Sequence, residues 1–129
     1  MKIITLVDKV FSTNNHIIIS NGEGVLVDAT VRVAEIKKAL DGAPLKAILL
    51  THAHFDHITS VEEIKSEFNC PVFVHEKGYT ALFSAEENLS SGFTPFEITD
   101  KANIIKVKDN EELLLFNTPI KVLHTPGHS

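Results

Sequence analysis

His52-Ala53-His54-Phe55-Asp56-His57 places four potential metal ligands within six residues, and the rest of the chain is best read outward from it. An apolar run, Leu45 to Thr51, opened by Pro44, precedes it and has the length of a buried strand. Ser60-Val61-Glu62-Glu63 follows, a capping-box pattern that starts a helix with Val61, Ile64 and Phe68 on one face. The six residues therefore form a loop at the carboxyl end of a strand, where α/β proteins concentrate their chemistry. In an extended segment His52 and His54 project to the same side. Two adjacent imidazoles repel when protonated, so the pair fits neutral rings that share a cation. Asp56 and His57 are expected to turn away from this pair and serve a second cation nearby. Imidazole with carboxylate suits Zn²⁺, Fe²⁺ or Mn²⁺, whereas Ca²⁺ prefers oxygen throughout. Chance would produce such a stretch here on the order of once in a thousand such chains. The competing reading is a polar loop whose histidines cap the helix or bond to backbone.

Around this loop the pattern alternates between strands and helices. Ile3 to Phe11 is rich in β-branched residues, and His16 to Ser20 with Gly24 to Val27 reads as a hairpin about the Asn21-Gly22 turn. Val33, Ile36 and Leu40 recur at helical spacing before Gly42. Pro71 opens a strand over Val72 to His75, a helix is expected from Lys77 to Phe83, and Ala85 to Pro95 reads as a long loop. Ile104 to Val107, Glu112 to Phe116 and Ile120 to His124 are expected as three antiparallel strands. The sum is an α/β domain, a mixed sheet with helices on one face.

A second histidine cluster, His124-Thr125-Pro126-Gly127-His128, lies at a Pro-Gly turn beyond the last strand. A zinc held by two histidines of one loop needs a third protein ligand from elsewhere and leaves a fourth position for water. His128 is the natural candidate.

Together these residues resemble the metallo-β-lactamase superfamily. His52-x-His54-x-Asp56-His57 is similar to its metal motif, and His124-Thr-Pro-Gly-His128 to the later element of glyoxalase II-like members. The resemblance implies the N-terminal half of an αβ/βα sandwich with a mixed, mostly antiparallel sheet. It implies His52, His54 and His128 as ligands of a first metal, with Asp56 and His57 serving a second, Asp56 also orienting the nucleophile. Asp28 and His124 are then residues that support the ligands from behind. Ala29-Thr30 stands where relatives usually carry Pro-Gly, and Thr59-Ser60 where Gly-Gly is common. The implied cofactor is Zn²⁺, one or two ions, with Fe or Mn as alternatives. The implied activity is hydrolysis of a thioester or related ester or lactone by a zinc-activated water. Two alternatives stand beside it: an iron-dependent persulfide dioxygenase-like enzyme, and a non-catalytic metal-binding or interaction fragment. His54 stands where the oxygen-reducing di-iron branch of the superfamily carries Glu. Family members continue past this point with a second half, so residues 1–129 are expected to be one domain truncated after the third ligand of the first metal site.

Composition agrees with this reading. A length of 129 residues, 43% hydrophobic and 22% charged, suits one folded domain and excludes a disordered chain. Twelve basic against seventeen acidic residues give a formal charge of −5, which argues against nucleic acid as a partner. No apolar run has membrane-spanning length, and the lone Cys70, expected as a plain buried or half-buried residue, fits a cytoplasmic chain. His16 and His75 belong to no ligand-spaced group. The expected partners are a small-molecule substrate and a second copy of the chain, joined through an apolar sheet face left bare.

Overall fold

Among the described residues, six strands form one sheet in the order β1-β2-β3-β4-β5-β6, and two more pair as a separate β7–β8 hairpin. The computed structural model describes residues 1–115, 118–123 and 125. The strands are Lys2–Val7 (β1), Asn14–Ser20 (β2), Glu23–Val27 (β3), Leu45–Leu49 (β4), Val72–His75 (β5), Ile104–Val107 (β6), Glu112–Leu115 (β7) and Thr118–Lys121 (β8). Two helices, Val33–Leu40 (α1) and Val61–Phe68 (α2), supply the crossovers from β3 to β4 and from β4 to β5.

The β2–β3 turn forms where expected. Asn21 and Gly22 take positive φ of 52° and 75°, the geometry that lets two strands reverse over two residues. β1, β2 and β3 are antiparallel, while β3, β4, β5 and β6 run parallel. Parallel pairing brings the carboxyl ends of β3, β4 and β5 to one edge of the sheet, and that edge carries Asp28, the His52 loop and His75.

The α/β class with its mixed sheet is as expected, and several details differ. Among the described residues three strand pairings are parallel and three antiparallel, where a mostly antiparallel sheet was expected. The difference lies in β6, which continues the parallel set beside β5 instead of pairing with β7. β1 ends at Val7 because the Asp8 carboxylate captures the amides of Val10 and Phe11 and turns the chain out of the sheet. The region expected as one helix from Lys77 to Phe83 is two short 3₁₀ turns, Glu76–Gly78 and Thr80–Phe83. Ser60 makes no side-chain cap bond to α2; the neighbouring Glu62 accepts amide hydrogens from Thr99 and Asp100.

The helices cover one face of the sheet. Ile17, Leu26, Ile48 and Val72 point from β2, β3, β4 and β5 into a core with Ile36 of α1 and Ile64 of α2, all fully buried. Each such side chain contributes about 1.5–3 kcal/mol by leaving water. The opposite face was expected to be bare. The β7–β8 hairpin covers part of it, so that Val25, Ala47 and Leu115 are buried with Ile18, Leu49, Phe73, Leu113 and Ile120 packed around them, while Ile3 and Ile105 stay exposed. Leu113 and Leu115 alternate along β7 and share this face with Ile120 of β8.

One buried charge ties the periphery down. Lys65, 5% exposed on α2, donates from Nζ to the carbonyls of Asp100 and Ala102 at 2.9 and 2.7 Å and lies 3.3 Å from the Asp100 carboxylate. Substituting Lys65→Met leaves both carbonyls without that donor, and the urea unfolding free energy is expected to fall by about 1–3 kcal/mol. Cys70 is buried as expected, and burial pushes its thiol up to about 11. At pH 8 only about one thiol in a thousand is then ionised, so a disulfide reagent should label the native chain far more slowly than the urea-unfolded one.

Candidate metal centre

The site is built at the carboxyl edge of the parallel strands. β3 runs into Asp28, whose amide bonds the Leu49 carbonyl at 2.9 Å and whose φ of 62° swings the chain out of the sheet. Asp tolerates this left-handed conformation better than most residues. One strand over, β4 ends at Leu49, Thr51-His52 follow just beyond it, and the chain then closes into a 3₁₀ turn over Phe55–His57. His57 N bonds the His54 carbonyl at 3.0 Å, and Ala29 N bonds the His57 carbonyl at 2.9 Å. The turn is thus docked against the segment that follows β3.

Asp28, 4% exposed, organises what surrounds it. Its carboxylate accepts the Thr51 amide at 2.9 Å and the Thr51 hydroxyl at 2.8 and 3.0 Å, and Oδ2 lies 2.7 Å from Nδ1 of His57. The Thr51 oxygen also lies 2.9 Å from Nδ1 of His52. A hydroxyl has one proton, and a carboxylate can only accept. Thr51 therefore gives its proton to Asp28 and accepts one from Nδ1 of His52. Nδ1 of His57 likewise carries the proton shared with Asp28. In the neutral form both rings are held in the tautomer whose lone pair is on Nε2, the arrangement carboxylate-backed metal histidines use.

The Nε2 atom of His52 is buried. The His57 ring lies 4.1 Å from that of His52, and the His54 ring 4.7 Å from it at 87°. Nε2 of His57 is 3.9 Å from Asp56 Oδ2. One ligand atom each from His52, Asp56 and His57 fall within 4.8 Å of one another, a spread that a cation with bonds of about 2.0–2.2 Å can gather by small side-chain rotations. Two neutral imidazoles and a carboxylate match the chemistry of a divalent transition metal, so the residues fit the group. Asp56 and His57 were expected to turn away from His52. The tight 3₁₀ turn instead brings His57 back over it, making one contiguous cluster. His54 borders that cluster and is not within the closest three. His124 and His128 lie outside the described residues.

Clefts open on two sides. One of about 430 Å³ is lined by Asp28, Thr51, Asp56 and His57 with Phe11 and Thr13. A larger one of about 1020 Å³ reaches His52 and His54 and is walled by Leu49, Phe73, Leu113 and Ile120. His16 bonds the Thr5 hydroxyl at 3.0 Å, and His75 Nδ1 accepts the Lys77 amide at 3.2 Å, both local structural roles.

Sequence reasoning missed Thr51, Asp8, Thr13 and Asn15. Thr51 stood next to His52 and could have been suspected as its hydrogen-bond partner. Asp8, Thr13 and Asn15 become conspicuous only by burial, at 7%, 6% and 0% exposed.

Comparison with known proteins places this geometry. Residues 8–129 match the metallo-beta-lactamase superfamily. The chain is 31% identical over 118 residues to the probable metallo-hydrolase YqgX of Bacillus subtilis, covering 90% of this chain and 56% of that protein. It is 33% identical over 137 residues to a probable metallo-hydrolase of Streptococcus pyogenes, covering 100% of this chain and 58% of the relative. The chain thus spans little more than half the length of these relatives. Among solved structures, the B3 metallo-beta-lactamase BLEG-1 superposes with a TM-score of 0.86 at 31% identity, over 99% of this chain and 63% of that one. ETHE1 from Myxococcus xanthus shares the fold, with a TM-score of 0.73 at 22% identity over 100% of this chain and 50% of that one.

The Asp28 hydrogen bond raises the pKa of His57 above its ordinary 6.5, burial opposing and the charges of Asp28, Asp56 and Asp8 assisting. In the metal-free chain, the stabilisation from this pair is complete below pH 6.5 and is lost as pH rises through the elevated value. NMR titration of the His57 ring should show the raised midpoint, and Asp28→Asn should return it toward the ordinary value.

Proposed function

We propose that this chain, which belongs to the metallo-beta-lactamase superfamily, holds one or two divalent metal ions, zinc foremost, for hydrolysis of a thioester or related ester or lactone. The observation that carries this reading is the pair of Nε2 lone pairs, on His52 and His57, set beside the Asp56 carboxylate by the buried Asp28–Thr51 network. The naming of two relatives as probable metallo-hydrolases supports the hydrolytic reading.

His52, His54 and His128 would hold the first ion, and Asp56 with His57 a second. A divalent metal bound there supplies Lewis acidity, bringing water toward ionisation near neutral pH. The chain's own groups do the rest. Asp28 keeps the Nδ1 proton on His57, so that its Nε2 stays a donor. Asp56 accepts a proton or hydrogen bond from the attacking water and orients it. The apolar walls of the larger cleft, Leu49, Phe73, Leu113 and Ile120, exclude water from an acyl group lying beside His52 and His54.

Elemental analysis of the purified chain, paired with turnover of a chromogenic acyl thioester, tests the reading. Stoichiometric zinc with turnover is expected, and His54→Ala should lower both zinc retention and rate about a hundredfold or more. Zinc without turnover would identify a metal-binding module instead, and a chain that takes up no divalent metal would overturn the reading.

A further inference from the structure

We propose that Thr13 is a positioning residue for the metal-binding turn, its hydroxyl fixing the Asp56 carbonyl and so setting the side chains of Asp56 and His57. Thr13 Oγ1 donates to the Asp56 carbonyl at 2.7 Å, across 43 residues of sequence. That carbonyl belongs to the planar peptide joining Asp56 to His57, so a single bond orients the backbone from which both side chains depart. The following peptide is held from the other side by Ala29 N, at 2.9 Å from the His57 carbonyl.

Thr13 is itself clamped, by the same Asp8 that ends β1 and by Asn15. Asp8 Oδ1 accepts the amides of Val10 and Phe11 at 2.7 and 2.9 Å, and Oδ2 accepts the Thr13 amide at 3.1 Å and the Thr30 hydroxyl at 3.2 Å. Asp8 is partly desolvated, which would raise its pKa, yet these bonds hold it below the ordinary carboxylate value. Asn15, wholly buried, accepts the Thr30 amide at 2.7 Å and donates to the Thr30 hydroxyl at 2.8 Å and the Thr13 carbonyl at 3.4 Å. The direction of donation runs from Asn15 to Thr30 to Asp8, and from Thr13 to both Asp8 and Asp56.

Burying Asp8, Thr13 and Asn15 is costly unless their polar atoms are hydrogen-bonded, and the network bonds them. The Asp8 bonds close the turn over residues 8–13 between β1 and β2, and the Thr13 hydroxyl carries the network beyond that turn to Asp56. Among the described residues the network reaches the cluster of ligands by a hydrogen bond at the Asp56 carbonyl. Thr30 supplies the hydroxyl that joins Asn15 to Asp8.

The inference rests on the metal reading above, and a metal-free measurement separates the two. In the 129-residue chain, Thr13→Val removes the hydroxyl at nearly constant shape, and Thr13→Ser retains it. Without metal, hydrogen exchange at the His57 and Ile58 amides should quicken about tenfold or more in Thr13→Val. Amides of β4 should keep their rates, and Thr13→Ser should match the parent. With zinc, competition against a chromophoric chelator should show about tenfold weaker binding by Thr13→Val and parental binding by Thr13→Ser. Lys65→Met, which loosens the fold far from this turn, should bind zinc as the parent does. Should Thr13→Val fail to fold, Asp8→Asn, which turns an acceptor of the Thr13 amide into a donor, should show the same local exchange. Unchanged exchange at His57 and Ile58, or zinc affinity equal to the parent's, overturns the proposal. A parent chain with no affinity for zinc overturns the metal reading instead, while the metal-free exchange still decides whether Thr13 holds the turn.

Discussion

The buried carboxylate of Asp28 is the constraint on which the site depends. A carboxylate out of water is costly unless its lone pairs are met, and here the amide and hydroxyl of Thr51 and the ring of His57 meet them. These partners come from the end of β4 and from the turn after it. Satisfying one charge therefore draws two separate stretches of the loop onto the end of β3. The same bonds assign the ring protons, since Thr51 has a single hydrogen to give. Electrostatic need, backbone path and tautomer are one arrangement.

The sheet makes this possible. Parallel pairing of β3 with β4 puts their carboxyl ends side by side, so residues separated by more than twenty positions in sequence meet at one edge. The helices fill the face behind that edge, and the β7–β8 hairpin covers part of the other. The larger cleft lies along the hairpin side and reaches His52 and His54. A rigid apolar framework thus presents a polar loop, the usual division of labour in α/β proteins.

Much of this was legible beforehand because the patterns are local. The Asn21-Gly22 turn, the 3.6-residue spacing of Val33, Ile36 and Leu40, and the dense ligands of 52–57 are each set by residues a few positions apart. The errors fell where local pattern meets tertiary competition. β6 reads as a hairpin partner of β7, yet the open edge of β5 takes it as a parallel strand across four residues. Ser60 and Glu63 have the right spacing for a capping box, but Ser60 makes no side-chain cap bond to the helix. The 52–57 loop looked like two ligand pairs facing apart because an extended reading ignores the 3₁₀ turn that folds His57 back.

By itself, the sequence determined the ligand types, their spacing and the strand–loop–helix frame that carries them, since those follow from side-chain chemistry and short-range periodicity. Only the tertiary structure decided which nitrogen of each ring is left as the donor, that Asp28 and Thr51 assign it, and that Asp8, Thr13, Asn15 and Thr30 stand behind the turn. Those outcomes depend on contacts between segments far apart in the chain and on which polar groups are shut away from water. No local pattern encodes either.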